Sequence, residues 1–242
     1  MQIRALFVAA LLAAPVVMAE EAAPEPKALE ASLALGVTVN DGNTENNMVT
    51  LGFGLTHHPC DRSTLRLALD GAYGETEGDK TTENGRAAVE FQYLVSERTY
   101  GALVASVATD DIADLDYRLI VSPSVGYYLM KSDAATMTAE VGPALVSEKK
   151  AGETEDDIAL RIAERYERTM NTSAKFWQTA EYLPNIDDFE VYLLIAEVGV
   201  EAPVSEKLNV RLVVNNTYDS DPAPGRKNND VTVIGALAYS LF

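Results

Sequence analysis

The chain has 242 residues, with 19 Lys and Arg against 37 Asp and Glu, a formal charge of −18, and 47% hydrophobic residues. That length suits one large domain or two small ones, and the hydrophobic share is too high for a disordered acidic chain. The acidic balance argues against nucleic-acid binding, and one cysteine with two histidines builds neither an internal disulfide nor a Cys/His zinc site.

Residues 1–19 read as an export signal. Arg4 supplies the positive start, Ala5 to Met18 is an apolar run, and Val17 and Ala19 place tolerated residues before a cleavage point at Glu20. The run contains Pro15 and falls short of the ~20 residues of a spanning helix. Removing the signal takes away Arg4 and no acidic residue, which makes the charge −19. Residues 20–30, rich in Glu, Ala and Pro, read as a flexible leader.

From residue 31 the dominant period is two. Leu33, Leu35, Val37 and Val39 alternate with small or polar residues, as do Val49, Leu51, Phe53 and Leu55, and then Leu65, Leu67, Leu69 and Tyr73. Successive strand side chains point to opposite faces, so each segment has one apolar face. Twelve such segments are expected: 31–40, 47–57, 63–74, 85–96, 99–109, 116–130, 135–148, 157–168, 173–183, 189–202, 207–218 and 230–242. Residues 192–200 are apolar on both faces, and 100–108 show no clear side. Ile158, Ile162 and Tyr166 also lie at near-helical spacing, although the surrounding pattern favours a strand.

The connections alternate in character. Those at 40–46, 75–84, 110–115, 148–156, 184–188 and 219–229 are polar, acidic and often long, whereas those between are short. An even strand number, loop alternation and an export signal together predict an all-β fold: an antiparallel transmembrane up-and-down β-barrel over residues 31–242. A soluble sandwich or lipocalin-like binding protein would alternate too, but with the apolar face packed inside. Here the opposite faces carry Gly, Ala, Ser and Thr with isolated charges of both signs, which suits a confined wet lumen.

A charge facing lipid costs ~2–4 kcal/mol at the midplane, so the strand charges are assigned inward. The candidate lumen residues are Arg66, Asp70, Glu90, Arg118, Glu140, Arg161, Arg165, Glu181 and Arg211, with Lys175 and Glu197 beside them. They form either a polar passage whose charges set ion preference or a cross-lumen network that braces a narrow barrel. The acidic loops with their flanks hold −16 of the charge, which segregates the acidity to one end. That end is expected to meet lipopolysaccharide and divalent cations, or simply to keep the loop tips soluble. Asp41, Gly42 and Asn43 read as a hairpin turn rather than a calcium loop.

With the strands placed, several phrases resemble a known family. Gly36 to Thr44 resembles its first hairpin, with Gly42, Asn43 and Thr44 in the turn. Val125 to Leu129, followed by Ala139 to Pro143, resembles its central hairpin. Asn215 to Asp219, through Pro222 and Gly225 to Asp230, resembles its last loop. The family is domain of unknown function 481, described as salt-induced outer-membrane proteins. The resemblance implies an exported outer-membrane barrel and brings no catalytic residues or cofactor. Phe242 supplies the terminal aromatic that the barrel-assembly machinery reads, but the stronger apolar set is Val231, Val233, Leu237, Tyr239 and Leu241. Either a bulge near Ser240 shifts the register or Phe242 lies beyond the last pair.

A barrel enzyme of lipase or protease type needs a base at its working end. His57 and His58 sit beside Pro59 and Cys60 at a short turn, away from the acidic loops, and no phosphate-binding glycine loop or nucleophile elbow is present. The expectation is a non-enzymatic outer-membrane protein without a cofactor, either a narrow channel or an envelope component.

Overall fold

The structure, a computed structural model, describes residues 29–40, 46–170 and 174–241. The expected signal peptide, the tip of the first hairpin with Asp41 to Asn43, and Phe242 lie outside these residues. Twelve antiparallel strands close into one barrel in which each pairs with its neighbours in sequence and β12 returns to β1. They are β1 Leu29–Asn40, β2 Asn46–Cys60, β3 Ser63–Thr76, β4 Asp79–Leu94, β5 Thr99–Asp110 and β6 Leu115–Lys131. The second half comprises β7 Ala135–Lys150, β8 Glu153–Thr169, β9 Lys175–Pro184, β10 Tyr192–Pro203, β11 Leu208–Asp219 and β12 Asn229–Ser240.

The alternation sets the two faces. Leu33, Leu35, Val49, Leu51, Leu103, Leu145, Val233 and Leu237 all point outward and are exposed, Val37 by 61%. Outward aromatics frame this apolar belt. Tyr182, Tyr192 and Tyr218 contact one another at centroid distances of 5.5 and 5.6 Å near the acidic loops. Tyr166 meets Phe176 at 6.0 Å at the opposite end, where Tyr93 and Tyr127 are also exposed. An apolar band between two aromatic girdles is the surface of a barrel that sits in lipid. Glu164 is an outward charge one pleat from Tyr166, and it accepts a hydrogen bond of 2.7 Å from Gln178 on β9.

Several boundaries differ from the sequence reading. The acidic stretches 75–84 and 148–156 are not long loops. β3 and β4 run on to Thr76 and Asp79, and β7 and β8 to Lys150 and Glu153. The turns are Glu77 with Gly78 and Ala151 with Gly152, all at positive φ. Two central residues at positive φ match the right-handed twist of hairpin strands, which is why acidic sequence here continues as ribbon. β10 begins later than expected, at Tyr192, because Asn185 and Asp188 turn the chain: their side chains accept from the amides of Asp187 and Glu190 at 2.8 and 3.0 Å. Residues 153–169 form a strand, so the near-helical spacing was coincidental. β12 pairs with β11 through Tyr239 and with β1 at Ser240 without a register shift, so no bulge moves the last strand.

The ladder is not uniform. Between β6 and β7 it is interrupted from Val121↔Leu145 to Val125↔Val141, a gap that holds Pro123 and Pro143. Ser122 donates its hydroxyl to the Pro143 carbonyl at 2.8 Å. Gly142 lies so close under Pro123 that a Cβ there would collide with the Pro123 carbonyl oxygen.

Candidate functional site: the lumen

All nine candidate charges lie on the inward parity of their strands. At the waist six of them, Arg66, Glu90, Glu140, Arg161, Arg165 and Glu181, converge with Arg86 from β4, which the sequence reading left out. Glu90 accepts from Arg66 at 3.5 Å, from Arg165 across the lumen at 3.0 Å and from Gln92 at 2.5 Å. Glu140 accepts from Arg161 at 2.8 Å, the Tyr100 hydroxyl at 2.8 Å and Ser124 at 3.2 Å. Glu181 receives the Arg161 Nε at 3.0 Å and faces Arg86 at 3.8 Å. Each carboxylate therefore has two or more donors, the condition under which buried charges are tolerated.

Two further layers flank the waist. Toward the short turns, Arg211 binds Glu201 at 2.6 Å and Ser32 at 3.3 Å and lies over Trp177 at 5.7 Å, while Trp177 donates to Glu197 at 2.5 Å. Lys175 at this rim faces Glu30 at 3.7 Å. Toward the acidic loops, Arg118 pairs with Glu148 and reaches across to Asp219 at 2.5 Å, with Lys150 beside both. The segment after Asp219 extends over this mouth. Its Ala223 is buried, and its Arg226 meets Asp114 at 3.9 Å. On the outer tips Lys80 bridges Asp111 and Glu83, both at 2.5 Å, and their hydrogen bonds hold its ammonium protonated above the ordinary lysine range.

The lumen is filled unevenly. On the β5–β9 side Arg161 and Glu140 are 6% and 7% exposed, and Tyr100 lies flat against Gly126, where a Cβ would strike its ring. Above them Ile120, Ala144, Ala159, Leu183 and Leu193 make an apolar inner cluster. This cluster explains why 192–200 is apolar on both faces: Leu193 and Ile195 face inward. Between the waist charges a cavity of about 20 Å³ remains, room for about one water. On the β1–β3 side the inward residues are Ala34, Gly52, Gly54, Ala68 and Asp70, and Ala68 and Asp70 remain exposed inside the barrel. Asp70 lies within electrostatic reach of Arg86 and Arg211.

Sequence reasoning missed Arg86 although it lies inside the expected segment 85–96. Its shared parity with Glu90 and Gln92 was the available signal. Glu148, Lys150 and Asp219 were counted with the loops, although they pair inside the mouth. Tyr100 belonged to the segment whose side was unassigned. His58 bonds Thr64 at 3.1 Å and Cys60 bonds Ser63 at 3.1 Å, both within the β2–β3 turn region at the end opposite the acidic loops.

A closed up-and-down barrel with an outward apolar belt and an inward ionic network has the fold of the outer-membrane β-barrels. The chain belongs to the family "Protein of unknown function, DUF481", whose model matches residues 33–241. Among solved structures the NanC porin is similar at 6% identity, covering 88% of this chain and 100% of that one, with a TM-score of 0.50. The translocator domain of the autotransporter NalP from Neisseria meningitidis matches at 12% identity over 88% and 86%, with a TM-score of 0.47. The KdgM porin matches at 8% identity over 88% and 99%, with a TM-score of 0.45. No curated protein sequence matches the chain.

Proposed function

We propose that this is a non-enzymatic outer-membrane protein, exported through residues 1–19, that conducts small ions along a narrow strip of its lumen. The observation that carries the reading is the contrast inside the barrel. Ala68 and Asp70 stay exposed to lumen water, whereas Glu140 and Arg161 on the opposite side are almost wholly buried. The buried charges brace the barrel and the strip beside them conducts, so both expectations for the charges apply, to different residues.

The strip presents arginine more than carboxylate. Arg86 and Arg165 are 38% and 34% exposed, whereas Glu90, their neighbour in the network, is 11% exposed. Acidic loops at the mouth oppose anions, but the narrower constriction decides selectivity because fields are strongest there. Small anions are therefore the preferred ions. Planar-bilayer recording tests this: small, stable unitary currents are expected, moving toward cation preference in Arg86→Gln and toward anions in Asp70→Asn. Correctly folded barrels that never conduct would leave a purely structural envelope role.

The acidic end would face lipopolysaccharide and attract divalent cations, and assembly would engage the last strand together with the aromatic residue Phe242 that follows it in sequence. An enzyme reading would require lipase or protease turnover that disappears in His58→Ala.

A further inference from the structure

We infer that the seam between β1 and β12 is a lateral portal through which the tail of a single-chain amphiphile enters the lumen from the surrounding leaflet. The seam is short: its ladder runs from Ser32↔Ser240 to Leu35↔Leu237 and stops. On their other edges the same strands stay paired much further, β1 to Asn40↔Asn46 and β12 to Tyr218↔Asn229. The stretch from Ala236 back to Asp230 therefore has no ladder partner on β1 among the described residues. It lies inside the apolar belt, with Val231 and Val233 outward and both 57% exposed. Unpaired backbone at that depth is tolerated only where it lines a water-filled space or meets other protein.

Two glycines mark the fork. A Cβ placed on Gly36 would lie 2.6 Å from the carbonyl oxygen of Gly235. A neighbour that stayed in the plane of the sheet would not put its carbonyl there, so β12 steps beneath β1 at this point. The strands overlap without being hydrogen-bonded, a closure that can slide open without breaking a ladder.

What lies behind the fork suits a tail and a charged head. The inward residues beside it are mostly small or apolar, Ala34, Gly52, Val213 and Ile234, with Thr50 opposite Gly36 and Arg211 opposite Ala236. They adjoin the strip where Ala68 and Asp70 are exposed, and around that one open carboxylate stand three partly exposed guanidinium groups, Arg86, Arg165 and Arg211, so the head is anionic. Axial entry for such a molecule is hindered by the Arg118–Asp219 bridge at the mouth. The portal does not rest on ion conduction, because one is read by current and the other by a lipid-phase probe.

The test uses the full-length barrel in proteoliposomes, in a Cys60→Ser background, with folding checked by heat-modifiable gel mobility. Leu35→Cys with Leu237→Cys spans the paired seam, and Val37→Cys with Gly235→Cys spans the next register position beyond the fork. Oxidation should join the first pair at least about tenfold faster than the second, whose strands are out of disulfide geometry. A longer bismaleimide should join the second. In a separate preparation, bimane attached at Ala68→Cys as the sole thiol should be quenched by doxyl-labelled stearate. With Leu35→Cys and Leu237→Cys added and oxidised before labelling, so that the probe thiol alone stays free, quenching by a water-soluble nitroxide should be unchanged and quenching by the stearate lost. Gly36→Val, which forces the strands apart, should increase it. Equal disulfide rates for the two pairs, undiminished stearate quenching in the joined barrel, or cross-links between two barrels instead of within one would each overturn the portal.

Discussion

The arc β6–β8 and the seam β12–β1 are built from the same alternating pattern and held in different ways. β7 and β8 pair without interruption from Ala135↔Arg168 to Lys150↔Glu153, and their inner faces carry Glu140 and Arg161 in a closed network. The seam pairs briefly, and its inner face is small and neutral. Pattern alone makes a strand. What differs is the strength of the ties around the barrel. Glu90 on β4 is held to Arg165 on β8 at 3.0 Å, whereas among the described residues β1 is reached from beyond its neighbours only by Arg211 of β11 on Ser32 at 3.3 Å and by the exposed pair of Lys175 on β9 with Glu30.

The largest test of that contrast is Arg161→Ala. It leaves Glu140 and Glu181 short of a buried partner, and should cost about 3–5 kcal/mol, read as a lower urea midpoint of the barrel in vesicles. A loss no greater than that of a surface pair would place the stability elsewhere. Tyr100→Phe removes one hydrogen bond to the same carboxylate and should cost about 1.5–3 kcal/mol, while the double variant Tyr100→Phe with Glu140→Gln should lose less than the two single losses combined. Gly142→Ala drives a methyl into the Pro123 carbonyl and should cost about 1–3 kcal/mol. In the seam, Ser240→Ala removes only a 3.3 Å contact from Asn209 and should cost about 1 kcal/mol or less. A seam variant as damaging as Arg161→Ala would erase the distinction. Smallest and opposite in sign, Ala151→Gly relieves a positive φ of 52° and should add up to about 1 kcal/mol to stability.

Strand number, order and facing were legible in the sequence because lipid imposes period two on every strand, and Leu33, Leu51 and Leu237 obey it. The inward parity of Arg66, Glu90 and Arg165 followed from the cost of charge in hydrocarbon. Which of them meet did not follow, because contacts across a lumen depend on barrel shear, and periodicity is silent on shear. The same gap hid Arg118 reaching Asp219 from 101 residues away. The tight turns at Gly78 and Gly152 were obscured by acidic composition, which looks identical in a loop and in a ribbon that has left the membrane.

The prolines at 123 and 143 carry a consequence for how the wall bends. Proline has no amide proton, so the rungs missing between β6 and β7 leave no donor stranded at those two positions, and Ser122 occupies the Pro143 carbonyl. The wall can flex there, but the missing rungs also involve Ser122, Ser124, Gly142 and Ala144, which do carry amide protons. Under hydrogen–deuterium exchange the break would therefore be read only at these four flanking amides, with no signal from the two prolines at its centre.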